Sequence, residues 1–250
     1  MSAVPGARRQ DPTRLDSPGP RLNRLLASLP EEDFEAIAPA LEPVTLVARG
    51  TLNGAGERLD HAWFPTTAII SLQQVLEGRP SSEVAMVGRE GMVGLGIVLG
   101  DPASSRHACV HCPGQAWRLP GALLRERFDR SAPLRSILLR QAQALMAQIA
   151  QNGVCYRLHS VEQQVCRRLL MSLDRLMTQE VPVTHEALAN ALGVRREAVT
   201  LAACRLLSDG LLRSSRGRIA VLDRPGLERR ACECYASLHG ELERLLGQGP

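Results

Sequence analysis

The chain has 250 residues, enough for one or two domains, and its 44 % hydrophobic content supports a packed core and excludes a wholly disordered chain. No run reaches the ~18 consecutive apolar residues of a membrane span, and the N-terminus lacks the apolar segment of an export signal, so no membrane contact and a cytoplasmic location are expected. The net charge of +4 comes from 30 basic residues, all arginine, against 26 acidic ones; residues 157–230 hold 13 Arg against 8 Asp/Glu, so a polyanionic partner should meet the C-terminal third.

Residues 1–20 carry Pro5, Pro12, Pro18 and Pro20 and read as a disordered tail. Residues 22–41 then read as helical, with Leu22, Leu25, Leu26 and Leu29 on one face and a second piece after Pro30 whose first turn holds Glu31, Glu32 and Asp33. From about Val44 to Leu119, short apolar or alternating runs near 44–48, 62–64, 68–72, 83–87, 107–111 and 116–119 are separated by turn residues. That pattern predicts a small β-barrel or jelly roll, here given the bounds 21–130.

Residues 131–158 read as one long helix. Leu138, Ala142, Leu145, Ile149 and Asn152 recur at intervals of 4, 3, 4 and 3, a heptad seam, and residues 141–156 contain no charge. A helix without a charged face is expected to pack on two sides, one on its own domain and one on a partner copy; the seam is the expected dimer interface.

Residues 159–225 form the most informative segment. A helix over 160–178 carries Val161, Val165, Leu169, Leu173 and Leu176 on one stripe. Thr184 then caps a helix that places Ala187, Leu188, Ala191 and Leu192 inward, and Gly193 permits a tight turn. The next helix, 195–208, turns Val199, Ala202, Ala203 and Leu206 inward and Glu197, Thr200, Leu201, Cys204, Arg205 and Ser208 outward. Helix, glycine turn, helix is the helix-turn-helix pattern, whose second helix lies in the major groove of DNA. Residues 211–222 read as a hairpin turning near 215–217, with Arg213, Arg216 and Arg218 at its tip: the wing of a winged helix, suited to phosphate oxygens. Residues 226–250 are a C-terminal extension with a helix expected over 227–246. The fold class is therefore α+β: an N-terminal roll, a long dimerisation helix and a C-terminal winged helix-turn-helix.

The run Leu192-Gly-Val-Arg-Arg-Glu-Ala-Val-Thr200, in this order of parts, resembles the recognition-helix motif of the Crp/Fnr regulators, the cyclic-AMP-receptor and fumarate-nitrate-reductase type. The likeness spans about residues 22–225; Val87-Gly-Arg-Glu-Gly-Met-Val-Gly94 and Gly114-Gln-Ala-Trp-Arg-Leu119 are similar to turns of that family's effector domain. The resemblance implies a homodimeric regulator that binds double-stranded DNA at a near-palindromic operator and works with RNA polymerase; no cysteine precedes Cys109, so the N-terminal iron–sulfur cluster of some members is not expected, and no cofactor is expected. Arg196 and Glu197 match the family's base-reading pair, while Leu201 stands where the family has a second reading arginine. The expected DNA-contacting set is Thr184, Arg195, Arg196, Glu197, Thr200, Leu201, Arg205, Arg213, Arg216 and Arg218. The effector positions are Gly91-Met92, where the family has Gly-Glu, and Arg106-His107, where it has Arg-Ser/Thr. Methionine cannot accept a ribose hydrogen bond as a carboxylate does, so the effector, if any, is unknown and the effector domain reads as degenerate. A rival reading is a small-molecule or redox sensor acting through protein contacts.

Among other constellations, His107, Cys109 and His111 share one face of a predicted strand, but its ends lie too far apart for one metal ion unless the strand bends. Cys232 and Cys234, two apart on the expected C-terminal helix, would face different ways and chelate poorly. The seven cysteines, odd in number, read as reduced thiols. No arrangement expected of an enzyme is present, and no metal site is expected.

Overall fold

The computed structural model describes residues 19–74, 82–101, 103 and 106–247. The predicted tail lies almost wholly outside these.

The chain enters through a 3-10 turn (Pro20–Leu22) and two short helices, α1 (Arg24–Ala27) and α2 (Glu31–Ile37). Asn23 pins this entry. Its buried amide caps α1 by accepting from the Leu26 N–H and donates to the carbonyls of Pro65 and Gly91, each at 2.8 Å.

The expected roll follows as two antiparallel sheets. One is ordered β1 (Glu42–Leu46), β7 (Gly114–Pro120), β3 (His61–Pro65). The other is ordered β2 (Thr51–Asn53), β6 (His107–Cys112), β4 (Ile69–Gln74), β5 (Ser82–Val87). All six runs named from the sequence are strands; β2, only three residues long, lacks a readable alternation. The glycine-bearing stretch after β5 closes as a one-turn helix, α3 (Gly96–Leu99). Two apolar clusters fill the roll, one around Val44, Ile70, Ala85 and Val110, the other joining Phe64, Met92 and Leu119 to the helices.

A ten-residue helix, α4 (Gly121–Arg130), leads into the long helix α5 (Ala132–Leu158), capped by the Ser131 hydroxyl. At 27 residues it is about 40 Å long. The predicted dimer seam turns inward. Leu138, Ala142 and Leu145 pack on the cluster around Phe64, Ile149 packs on the other roll cluster, and Asn152 donates to the Val84 carbonyl at 2.8 Å. The exposed stripe is the same heptad rotated by one residue: Leu139, Gln143, Met146, Ala150 and Gly153, with Val154 and Leu158 beside it. Both stripes run uncharged through the middle of the helix, so periodicity alone could not say which one the chain's own roll would cover.

Helix α6 (Val161–Arg175) begins with a capping box made by Ser160 and Gln163. The expected apolar stripe is buried in the core, but the helix also buries three arginines against the roll and α5. Arg167 donates to the Asn152 side-chain Oδ1, Arg168 meets Glu83 of β5 at 2.8 Å, and Arg175 meets Glu90 at 2.8 Å. Burial pushes the Glu83 carboxyl upward, and the Arg168 guanidinium opposes the shift. Two glycines of the run 87–94 serve this junction. A Cβ on Gly88 would sit 2.8 Å from the Arg175 Cβ, and one on Gly91 would meet the Gln141 side chain of α5. Ile69, Met86 and Cys112 of the roll share one apolar cluster with Val165, Leu169 and Leu188, so the core is continuous across the domain boundary.

The remaining elements are β8 (Glu180–Val181), α7 (His185–Leu192), α8 (Arg196–Ser208), β9 (Leu212–Ser215), β10 (Arg218–Val221), α9 (Arg224–Arg230) and α10 (Cys234–Leu246). The predicted C-terminal helix is thus broken at 231–233, where Ala231 turns extended and ends α9; α10 lies against α5. Among the described residues, no helix is long and apolar enough to cross a membrane.

Removing one partner of the buried Arg168–Glu83 pair leaves a lone buried charge. Arg168→Ala should lower the unfolding free energy by about 3–5 kcal/mol, and the double change Glu83→Leu/Arg168→Met should recover most of it. Urea unfolding measures both; a double variant as unstable as the single one contradicts the pair's role. In the same assay Gly88→Ala should cost about 1–3 kcal/mol, because the stem of Arg175, not a flexible tip, occupies the space.

Candidate nucleic-acid interface

The helix-turn-helix is built as its local chemistry dictates. The Thr184 Oγ1 accepts from the Ala187 N–H at 3.1 Å, closing the first turn of α7, and Leu188, Ala189, Ala191 and Leu192 are buried. Gly193, at φ +67°, ends α7 in the left-handed conformation. Helix α8 buries Val199, Ala202, Ala203 and Leu206 and leaves Glu197, Leu201, Cys204, Arg205 and Ser208 exposed. Small residues on the inner faces let α7 and α8 cross closely. The wing is a two-residue hairpin: Arg216 and Gly217 both have positive φ, 29° and 79°, which is the type I′ turn that matches the strands' twist. A third strand, β8, pairs with β10 on its other side.

The predicted contact residues do not all stand in the same condition. Arg195, Arg196 and Glu197, at the start of α8, are exposed and form no ion pair among the described residues. Arg196 lines one groove with Thr184, Ser214 and Gly217, about 270 Å³ in volume, which joins the recognition helix to the wing. Leu201 is 56 % exposed, an apolar side chain on the outer face. Thr200 is half-buried, its hydroxyl 3.2 Å from His185 Nδ1. Arg205 lies 3.7 Å from Glu162, which Arg230 also engages at 2.8 Å. At the wing, Glu180 stands 4.0 Å from Arg213 and 3.7 Å from Arg218, while Arg216 at the turn has no acidic partner among the described residues. Sequence reasoning missed Glu180 and His185. Neither carries a local signal, since each acts through strand pairing or helix packing.

Of the four effector positions, two, Met92 and Arg106, line one cavity, and Gly91 and His107 do not join them. The Gly91 backbone packs on Gln141. Met92, 1 % exposed, and Arg106 line a small cavity of about 100 Å³ with Leu59, Leu72, Leu95 and Leu145. That volume is well below the ~300 Å³ at which ligand pockets begin. His107 faces the other way, 3.3 Å from the Thr51 hydroxyl, into a wide cleft of about 600 Å³ between the roll and α7. Cys109 and His111 share that cleft, as the strand alternation predicts. Burial pushes the Cys109 thiol up to about 11, away from the reactive thiolate, and lowers the His111 imidazole well below its ordinary range.

The Crp-like helix-turn-helix domain family matches residues 163–230. No curated protein matches the chain. Among solved structures, it is similar to a transcriptional regulator of the crp/fnr family from Eubacterium rectale, with a TM-score of 0.64 and 18 % identity over 84 % of this chain and 98 % of that one. It is likewise similar to FixK2 from Bradyrhizobium japonicum, with a TM-score of 0.67 and 14 % identity over 77 % and 98 % of the two chains. A third is the c-di-GMP-responsive global regulator CLP from Xanthomonas campestris, with a TM-score of 0.60 and 13 % identity over 78 % and 100 %. At these identities the likeness speaks to the fold, and the family match to the domain. The chain thus shares the fold of these crp/fnr-type proteins, and its residues 163–230 match the Crp-like helix-turn-helix domain.

Proposed function

We propose that the protein is a homodimer that reads a near-palindromic operator through the first turns of α8. The observation that carries this is the exposed, unpaired group Arg195, Arg196 and Glu197 beside a wing tip bearing Arg216. Arg196 takes a guanine edge bidentately and Glu197 accepts from a cytosine amine. Leu201 touches a thymine methyl and makes no guanine contact, so the operator differs from one read by an arginine there. Arg213, Arg216 and Arg218 hold phosphates, with Arg216 the strongest because Glu180 partly neutralises the other two. Thr184 and Thr200 shape the reading surface by capping α7 and bonding His185, and Arg205 stays with Glu162.

Two copies pair through the exposed stripe Leu139, Met146 and Val154 of α5, which sets two recognition helices about one DNA turn apart. The roll acts as a scaffold without a cyclic-nucleotide pocket, since its cavity is small and lined by Met92 where a carboxylate would be needed. The link His159–Ser160 between α5 and α6 is the hinge about which the DNA-binding domain moves, and RNA polymerase is the partner through which binding alters transcription.

Selection of bound fragments from random duplex DNA tests the reading surface. The double change Arg196→Ala/Glu197→Ala should leave the fold intact by circular dichroism and abolish enrichment of a single motif; unchanged selection rejects the proposal. In a salt titration of affinity, Arg216→Ala should lower the slope by about one counterion per protomer, and Glu180→Gln should tighten binding by freeing two arginines. Leu139→Asp/Met146→Asp should yield monomers by light scattering and weaken operator binding. Leu138→Ala should instead cost about 2–5 kcal/mol of stability with dimers retained.

A further inference from the structure

The break in the C-terminal helix changes the reading of its cysteines. Cys232 lies in the link before α10 and Cys234 is the first residue of α10, so the two thiols converge on the end of α5. There Cys155 and His159 stand one helical turn apart, the Cys155 carbonyl accepting the His159 N–H. The ligand atoms of Cys155, His159, Cys232 and Cys234 all lie within 4.8 Å of one another. The Cys155 and Cys232 sulfurs are 3.6 Å apart, and the Cys234 sulfur is 3.6 Å from His159 Nδ1.

These are the distances of a tetrahedral zinc site before the ion is placed. Zinc–sulfur bonds of about 2.3 Å and zinc–nitrogen bonds of about 2.0–2.1 Å put ligand sulfurs about 3.8 Å apart and sulfur about 3.6 Å from nitrogen. A disulfide needs sulfurs at about 2.05 Å. A cubane iron–sulfur cluster places its ligands on separate irons, further apart than this group allows. Three buried thiols form a cluster with no aliphatic member, which is not how cysteines pack as small hydrophobes. His159 supplies a second sign. Its Nε2 lies 3.2 Å from a Glu233 carboxylate oxygen, so Nε2–H donates outward and the Nδ1 lone pair points at the sulfurs, the outer-shell arrangement typical of metal-bound histidine.

The geometry points to a mononuclear Zn²⁺ site formed by Cys155, His159, Cys232 and Cys234. Its four ligands come from the end of α5, the α5–α6 link, the link between α9 and α10 and the start of α10. The ion therefore clamps the C-terminal extension onto the joint between the long helix and the DNA-binding domain, and its loss frees that joint.

The test is the metal content of the full chain purified without chelator, followed by Co²⁺ replacement of the extracted metal. One zinc per chain and the intense visible bands of tetrahedral thiolate-bound Co²⁺ are expected. Cys155→Ser and Cys232→Ser should each weaken zinc binding more than 10-fold, while Cys109→Ser and Cys204→Ser leave it unchanged. If the serine variants fail to fold, His159→Cys should retain one ion with an altered Co²⁺ spectrum, and Glu233→Gln should lower zinc affinity about 10-fold. Protein free of metal, whether its seven thiols are all reduced or Cys155 and Cys232 are joined, overturns the assignment. So does iron or copper in place of zinc, or zinc retained undiminished by Cys232→Ser.

Discussion

A charge buried between two domains must find its counter-charge or the domains separate. Arg168 and Glu83, each about 97 % or more out of solvent, meet that condition across the boundary of roll and DNA-binding domain. Arg175 with Glu90 repeats it, and Arg167 is held by a hydrogen bond to the Asn152 side-chain amide oxygen, so one face of α6 locks simultaneously to β5, to α5 and to the turn after β5. Such pairs add little net stability, because desolvation offsets most of the attraction. They define one relative position of the domains, since a shift of a few ångströms would strand three guanidinium groups in an apolar core. The placement of the recognition helix relative to the long helix follows from this lock.

The long helix has two jobs. Its inner face carries Gln141, Gln148 and Asn152, which satisfy strand-edge and turn carbonyls of the roll, along with Leu138 and Leu145 for packing. Its outer face carries the exposed Leu139, Met146 and Val154. Buried amides are costly unless paired, so the inner face is held in register by hydrogen bonds and the outer one is left to apolar contact. The same helix ends at the cysteine and histidine cluster, which places that cluster where any change in the angle between α5 and α6 would be felt.

The interior of the roll is filled by its own side chains. Met92 is absorbed into the core, and a side chain at either turn glycine, Gly88 or Gly91, would run into Arg175 or Gln141. A motif that looks like an effector turn can therefore persist for reasons of domain packing alone.

The winged helix was legible in the residues because its determinants are local. A threonine cap, a glycine at positive φ, the inward spacing of Val199, Ala202, Ala203 and Leu206, and the arginine-tipped hairpin each act within a few positions. The six strand runs were legible for the same reason. Three features were not. Which of two equally uncharged stripes of α5 faced the roll depended on Gln148 and Asn152 finding strand-edge groups of β5, contacts more than sixty positions apart. The arginines of α6 read as solvated charge until β5 brought Glu83 to them. The convergence of Cys155 and His159 with Cys232 and Cys234, more than seventy positions apart, required a helix break and the packing of α10 on α5. Local backbone preferences write themselves into short spacings, whereas the pairing of buried polar groups is decided only when the chain closes on itself.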